Sequence, residues 1–206
     1  MKQLGATDLK RLHREWNRRS EARLALLLDG VSSPFNVGGM VRTAAALRVE
    51  HVYLAAGALS PGHPKAGRTS MGTERYLNWT TYERAVDAVA AAHDDGYRVV
   101  GLELADGAVP IHDLDVGAAT CLVVGHEDHG LPPATLAVCD AVTFIPQLGR
   151  VGSLNVATAA AIGLYELRRR EWTGEGADLE PSAQESAKPS ELSELSELSE
   201  LDADDY

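Results

Sequence analysis

Short apolar runs separated by longer stretches of helical periodicity constrain the fold of this chain more than any other feature. Five apolar runs have strand length, and the run at 51–56 is also β-branched and aromatic. They lie at 24–28, 51–56, 97–104, 121–125 and 142–146. Helical patterns lie near 37–48, 81–94 and 132–139, and a long one spans 153–172. Because strands alternate with helices, we predict an α/β fold whose mostly parallel sheet carries helices on both faces.

Charge is distributed unevenly along the 206 residues, whose formal net charge is −11. Residues 174–206 hold eleven acids and one base, which leaves −1 for residues 1–173. Residues 1–23 hold seven bases and three acids. We therefore predict a basic N-terminal helical arm at 1–23, an α/β domain at 24–173 and a disordered acidic tail at 174–206. The arm and the bases Arg168, Arg169 and Arg170 are candidate contacts for phosphates. The alternative for the arm is a solvated helix of mixed charge.

Several classes of protein are disfavoured by what the sequence lacks. No apolar run approaches the roughly 18 residues of a membrane helix, and residues 1–16 are charged and carry no signal-peptide core. Cys121 and Cys139 lie in apolar contexts, which predicts reduced, buried thiols. No GxGxxG, Walker A or GxSxG pattern occurs. We expect a cytoplasmic protein with no membrane partner.

The first of three segments that follow strands is 29–45. Open parallel sheets bind ligands beyond the carboxyl ends of their strands, so such segments are where a site is expected. Asn36 is a candidate helix cap, and Gly38 and Gly39 would let a phosphate or ribose approach the first helical turn. Arg42 offers a guanidinium fork for phosphate oxygens. The alternative is a capped helix with packing glycines and a surface arginine.

The second segment runs from Leu122 to Pro132, where a strand leads directly into a polar turn flanked by glycines. Glu127 lies there at the predicted edge of the sheet, between His126 and His129. Two histidines beside carboxylates suggest a metal site, but no further ligands follow at suitable spacing, so we predict no metal.

The third segment is 144–157, a glycine-containing loop that leads into the last helix. Pro146 ends the strand, and Ser153 is a candidate N-cap of the helix. The helix that follows is rich in small residues, including Ala157, Ala160 and Gly163. Small residues allow another backbone to approach closely, which predicts deep packing in the domain or a subunit interface.

Together these segments resemble the SpoU–TrmH family of RNA ribose 2′-O-methyltransferases, within the SPOUT superfamily. The resemblance covers about residues 24–168. It is carried by Asn36-x-Gly38-x-x-x-Arg42-Thr43, by Gly125-x-Glu127-x-x-Gly130-Leu131, and by Ile145-Pro146 with Ser153-Leu154-Asn155-Val156-Ala157. It implies a C-terminal trefoil knot that holds S-adenosylmethionine, a homodimer, and methyl transfer to a ribose 2′-hydroxyl of RNA. Gly152 and Ala157 depart from the family pattern, where polar residues are common.

The resemblance also implies roles for individual residues. The expected catalytic residues are Asn36, Arg42, Glu127, Ser153 and Asn155. The expected cofactor-binding residues are Leu104, Gly125, Ile145, Pro146 and Leu154. Transfer RNA is the favoured substrate. The alternatives are ribosomal RNA, a catalytically silent RNA-binding or assembly factor, and an unrelated α/β enzyme acting on a small molecule.

Overall fold

The computed structural model describes residues 2–174, so the predicted tail, apart from Gly174, lies outside the described residues. The helices are α1 (Ala6–Arg18), α2 (Pro34–Ala46), α3 (Pro64–Ser70), α4 (Ala85–Asp94), α5 (Pro133–Leu136) and α6 (Val156–Thr173). The strands are β1 (Arg23–Asp29), β2 (His51–Ala55), β3 (Asn78–Thr81), β4 (Arg98–Leu102), β5 (Val109–Pro110), β6 (Ala119–Val124) and β7 (Ala141–Phe144). Short 3₁₀ turns lie at Thr73–Tyr76 and Ile111–Asp113.

The seven strands form one parallel sheet in the order β3-β2-β1-β6-β4-β7-β5. The predicted α/β fold with a mostly parallel sheet is therefore confirmed. β1 and β6 are neighbours although they lie far apart in sequence, with Leu28 paired with Val124. The loops that follow these two strands consequently emerge side by side at the carboxyl edge of the sheet.

β1 shows why the sheet is covered on both faces. Side chains alternate across a strand, and those of β1 enter two separate apolar cores. Leu26 and Leu28 belong to the core beneath α2 and α6, whereas Leu27 belongs to the core beneath α4. Burial on both faces explains why the strand is a continuous apolar run rather than an alternating one.

Three elements were not predicted from the sequence, and one prediction was too long. β3 is a polar edge strand, and β5 has two residues including Pro110, so neither forms an apolar run. α3 has the sequence PKAGRTS, whose proline, glycine and hydroxyl residues are typical of a loop. The predicted helix at 132–139 is only the single turn Pro133–Leu136.

Two of the three bases at the end of α6, Arg168 and Arg170, are structural, which corrects their prediction as candidate contacts for phosphates. Arg168 is 2% exposed and Arg170 is 6% exposed. Arg168 donates hydrogen bonds to the carbonyl oxygens of Leu47 at 3.0 Å, Ala22 at 2.7 Å and Arg48 at 3.0 Å. These carbonyls lie just before β1 and just after α2, so the guanidinium links α6 to both elements and is not available to RNA.

The small residues of α6 face the sheet of the same chain. Ala160 is fully buried, and a Cβ on Gly163 would lie 2.8 Å from a methyl carbon of Leu122. Deep packing within the domain, one of the two alternatives drawn from the sequence, therefore accounts for them. None of the helices in residues 2–174 is long and apolar enough to cross a membrane.

α1 lies on the surface and has no buried residue. Its Trp16 ring contacts that of Trp172 on α6, with centroids 4.9 Å apart. A helix is thus present within the predicted N-terminal arm.

Candidate active site

A cavity of about 300 Å³ lies at the carboxyl ends of β4, β6 and β7. Its walls come from the loops after these three strands and from the first turns of α6. They comprise Leu102, Glu103, Leu104, Val124, Gly125, His126, Glu127, Asp128, His129, Gly130, Phe144, Ile145, Gln147, Gly152, Ser153, Leu154, Val156 and Ala159. The second and third sequence segments, distant along the chain, therefore meet around one space.

Glu127 joins the loop after β6 to the loop after β1. Its carboxylate accepts hydrogen bonds from the backbone N–H groups of Ser33 at 2.9 Å and Ser32 at 3.3 Å. It also accepts one from the side-chain amide of Asn36 at 3.0 Å. The carboxylate thus binds both the N-terminal end of α2 and a side chain of its first turn.

Asn36 and Asn155 extend this network to α6. The amide of Asn155 donates to Oδ1 of Asn36 at 2.9 Å, while its own Oδ1 accepts from the backbone N–H groups of Ala157 and Thr158. Both amides are fixed by partners at each end. The network Glu127–Asn36–Asn155 therefore connects all three sequence segments.

The two helix caps predicted from the sequence were assigned to the wrong residues. Ser33, not Asn36, caps α2, and Asn36 lies within the helix, where it is 6% exposed. Asn155, not Ser153, caps α6, while Ser153 lines the cavity. In each case several polar residues precede the helix, and only the exact first turn decides which one caps it.

The pKa of Glu127 lies below its usual value. Partial burial acts to raise it, but the hydrogen bonds from Asn36 and the N–H groups of Ser33 and Ser32 stabilise the charged form and outweigh burial. Glu127 is therefore an anion at neutral pH that accepts hydrogen bonds and holds the loops together.

Gly38 of α2 serves helix packing, which corrects the expectation that a phosphate or ribose approaches the helix at this residue. A Cβ on Gly38 would lie 2.5 Å from the carbonyl oxygen of Ala66 and 2.6 Å from Cβ of Thr69, both in α3. A Cβ on Gly39 would lie 3.6 Å from Cβ of Ala157. Gly38 is thus required by the close approach of α3, which the sequence analysis did not predict.

Glu103 was missed by the sequence analysis and supports the same cavity. Its carboxylate accepts hydrogen bonds from the N–H groups of Leu131 at 2.8 Å and Leu104 at 3.1 Å. A Cβ on Gly130 would overlap this carboxylate, and one on Gly125 would overlap the backbone of Gly130. The available signal was an acid at the carboxyl end of a buried strand: Glu103 directly follows β4, and Glu127 lies three residues after the end of β6.

Four predicted site residues lie outside the cavity walls: Asn36 and Asn155, which belong to the adjoining network, and Arg42 and Pro146. Arg42 is exposed on α2, and its guanidinium donates to the sulfur of Met71 at 3.0 Å. Pro146 is exposed and is not among the lining residues, although Ile145 before it is. The other predicted cofactor contacts, Leu104, Gly125 and Leu154, line the cavity.

The histidines of the second segment stack on one another. The rings of His126 and His129 lie 5.0 Å apart with an interplanar angle of 17°, and Nδ1 of His126 accepts from the N–H of Asp128. Within residues 2–174, no group of three or more histidine, cysteine or acidic residues is arranged to hold a metal ion.

Residues 23–165 match the sequence model of the SpoU rRNA methylase family, a range that includes the cavity and all three loops of the network. The chain belongs to this family. The predicted resemblance of the three motifs is thereby confirmed. The matched range also begins at β1, so it contains the complete sheet.

Individual SpoU relatives match about three quarters of the chain. It is 32% identical over 154 residues to a tRNA (guanosine(18)-2′-O)-methyltransferase of Escherichia coli, covering 74% of this chain and 66% of the relative. It is 34% identical over 161 residues to a 23S rRNA (guanosine(2553)-2′-O)-methyltransferase of Bacillus subtilis, covering 76% and 62%. The match thus spans about two thirds or less of these relatives' lengths.

A solved structure shares the fold. It is the SpoU methyltransferase AviRb from Streptomyces viridochromogenes in complex with the cofactor AdoMet. The superposition has a TM-score of 0.67 with 32% sequence identity, and it covers 75% of this chain and 62% of that chain. The sheet and its covering helices are therefore those of a SpoU methyltransferase.

Proposed function

We propose that this protein transfers a methyl group from S-adenosylmethionine to a ribose 2′-hydroxyl of RNA. The observation that carries the proposal is the network Glu127–Asn36–Asn155, which joins the three family motifs beside a single cavity. Two of its members are neutral amides and the third is a carboxylate already engaged by hydrogen bonds. The network is suited to holding loops and a ribose in place, and positioning is the larger part of such a transfer.

The residues around the cavity fit S-adenosylmethionine. Leu102, Val124, Ile145 and Leu154 supply apolar surface for an adenine ring, and loop backbone supplies donors and acceptors. The carboxylates of Glu103 and Asp128 are anionic groups suited to the ammonium of the amino-acid part. The volume of about 300 Å³ lies within the range of small-molecule sites. The AdoMet complex of the related methyltransferase supports the same cofactor.

Arg42 would act on the RNA rather than on the cofactor. When bound, S-adenosylmethionine supplies an electrophilic methyl group. Arginine has a pKa above about 12, so removing its proton near pH 7 costs about 6 kcal/mol or more. As a permanent cation, Arg42 would bind the adjacent phosphate and stabilise charge that develops on the 2′-oxygen. Its exposed position suits contact with a macromolecule.

Transfer RNA is the favoured substrate, on the basis of the named activity of the Escherichia coli relative. Ribosomal RNA is the second candidate, because the relative from Bacillus subtilis, of similar identity, is named for 23S rRNA. The proposal includes a trefoil knot, which the close packing of the loops after β4, β6 and β7 supports. The proposal also includes a homodimer, supported by the exposure of Ile162 and Tyr165 on α6. It keeps the division of the chain into an arm at 1–23, a domain at 24–173 and a tail at 174–206.

Mapping of ribose methylation by mass spectrometry tests the proposal. Total RNA is compared between cells with and without the gene, and the missing 2′-O-methyl nucleotide identifies the substrate. Purified protein with S-adenosylmethionine should restore that nucleotide, and calorimetry should show cofactor binding without added metal. Unchanged RNA methylation, together with no transfer to tRNA or rRNA in vitro, would contradict the proposed activity.

A further inference from the structure

The segment between β2 and β3 is a cationic surface in an acidic protein. Residues 63–76 include Lys65, Arg68 and Arg75 against the single acid Glu74, a net charge of +2 in a chain whose net charge is −11. All three basic side chains are exposed. Because the segment folds as α3 and a 3₁₀ turn packed on α2, it presents these charges from fixed elements.

These basic groups form no ion pair within the part of the chain that the structure describes, although the pKa of the adjacent Glu74 is lowered by its hydrogen bond with Ser70 and, to a smaller extent, by the charge of Arg75. No carboxylate of residues 2–174 lies within 4.0 Å of the basic groups of Lys65, Arg68 or Arg75. The carboxylate of Glu74 accepts a hydrogen bond from the hydroxyl of Ser70, a buried residue. The surface therefore keeps its positive charge for a ligand.

The cationic surface is continuous with Arg42. The guanidinium of Arg42 contacts the sulfur of Met71, and Gly72 follows. A Cβ on Gly72 would lie 3.9 Å from Nη1 of Arg75. The guanidinium groups of Arg42 and Arg75 thus lie beside two consecutive residues of one short turn, Met71 and Gly72.

Tyr76 adds an exposed ring at the same place. It is 66% exposed, and the guanidinium carbon of Arg75 lies 4.7 Å from its ring centroid. Arg75 also donates a hydrogen bond to the Tyr76 hydroxyl at 2.7 Å. Arg75 covers one face of the ring and fixes its orientation. Rings held in this way serve as stacking platforms for unpaired bases in RNA-binding proteins.

We propose that Lys65, Arg68, Arg75 and Tyr76 form an RNA-binding surface that holds the substrate strand next to Arg42. Guanidinium forks match phosphate oxygens, and an aromatic ring stacks on a base, so charge and shape together favour a single-stranded stretch of RNA. An acidic protein segment would match the charge but has no base to stack on Tyr76. The inference rests on the proposed function, because it assigns the substrate contacts of that reaction.

Binding of fluorescently end-labelled total tRNA to the full chain, followed by anisotropy over a range of salt concentrations, tests this surface. The affinity falls as salt increases, and each lost phosphate contact reduces the magnitude of the slope of log affinity against log salt by about 0.7–0.9. The double variant Arg68→Gln/Arg75→Gln should therefore reduce this magnitude by about 1.5 and weaken binding at least tenfold at low salt. Arg84→Gln is the matched control: Arg84 is exposed, pairs with Asp87 and begins α4 on the opposite face of the sheet.

Tyr76 is tested separately from charge. Tyr76→Ala should weaken tRNA binding roughly tenfold with an unchanged salt slope, because stacking is lost and no cation is removed. Tyr76→Phe should retain most of the affinity. In both variants and in the double variant, calorimetry should show wild-type binding of S-adenosylmethionine, which establishes that the fold and cavity are intact.

The outcomes separate this inference from the proposed function. If wild-type protein binds tRNA and methylates RNA while the double variant binds with the same affinity and slope, the surface is not an RNA site. Binding that depends on the surface without methylation of any RNA would support the inference and overturn the proposed activity. A change in sedimentation from dimer to monomer in Tyr76→Ala would make the surface a subunit interface, and equal binding of labelled polyglutamate would make it a site for acidic protein. Either result would overturn the inference.

Discussion

At the scale of single residues, the site depends on carboxylate side chains that accept hydrogen bonds from the backbone N–H groups of neighbouring loops. Glu127 accepts hydrogen bonds from two N–H groups of the loop after β1 and from Asn36, and Glu103 holds the N–H groups of Leu131 and Leu104. Each carboxylate follows a buried strand. These acids therefore shape the loops around the cavity, whereas Arg42 is exposed on the surface of α2.

Glu127→Gln tests the role of the carboxylate. The amide keeps the shape but loses the charge, so we expect the free energy of unfolding at pH 7 to fall by about 1–2 kcal/mol, since solvent screens this half-exposed group. The pKa of Glu127 is lowered in the folded state, so its stabilisation is full above the unfolded-state pKa of about 4.3 and is lost as pH falls through the folded-state pKa. Urea denaturation should show that the difference in the free energy of unfolding between wild type and Glu127→Gln is smaller at pH 3 than at pH 7. An equal difference at both pH values would show that the variant loses packing rather than charge.

Arg42→Lys tests the second residue. Lysine keeps the positive charge but loses the planar fork, so methyl transfer to RNA should fall by at least tenfold. Because Arg42 does not line the cavity, binding of S-adenosylmethionine should be unchanged by calorimetry. Wild-type turnover in this variant would remove Arg42 from the mechanism.

At the scale of elements, the close contact between α2 and α3 positions both the network and the cationic surface. It depends on Gly38, at which any side chain would meet the backbone of Ala66. Gly39, the next residue, faces α6 with ordinary spacing. The packing of the helices therefore requires glycine at position 38 but leaves room for a side chain at position 39.

The two glycines should respond in opposite directions to alanine. Gly38→Ala places a Cβ 2.5 Å from a carbonyl oxygen, so we expect a loss of about 1–3 kcal/mol in the free energy of unfolding. Gly39→Ala meets Ala157 at 3.6 Å, and removing a glycine from a helix should stabilise the protein by about 0.5–1 kcal/mol. Thermal and urea denaturation measure both variants. A neutral Gly38→Ala would show that α3 can shift away from α2.

At the scale of the whole molecule, the end of α6 joins parts of the chain that are distant in sequence. Arg168 binds carbonyls of Ala22, Leu47 and Arg48, and it pairs with Glu171 at 2.9 Å. Glu171 in turn accepts hydrogen bonds from the N–H groups of Glu21 and Ala22. The start of β1 and the end of α2 are thus fixed by one buried ion pair.

Arg168→Lys should be destabilising although charge is conserved. An ammonium cannot serve three carbonyls in the geometry of a guanidinium fork, and buried acceptors are left without donors, so we expect a loss of about 3 kcal/mol. Arg19→Lys is the control, because Arg19 and Glu15 form an exposed pair that contributes about 1 kcal/mol or less. A loss in Arg168→Lys no larger than in Arg19→Lys would contradict the role of this pair in stability.

The sequence by itself determined the α/β class, the five apolar strands and the residues of the three motifs, because a strand buried on both faces needs a continuous apolar run and the motifs are local patterns. Only the tertiary structure decided which residues meet. Asn36 was predicted to cap α2 and Asn155 to lie in the first turn of the last helix, and nothing in the residue patterns indicated that the two side chains are within hydrogen-bond distance across 119 residues of sequence. Arg168 was taken for a surface base, yet its partners are backbone carbonyls, which no side-chain pattern records. α3 has a loop-like sequence and becomes a helix because α2 offers Gly38 to pack against, a long-range contact that local propensity does not contain.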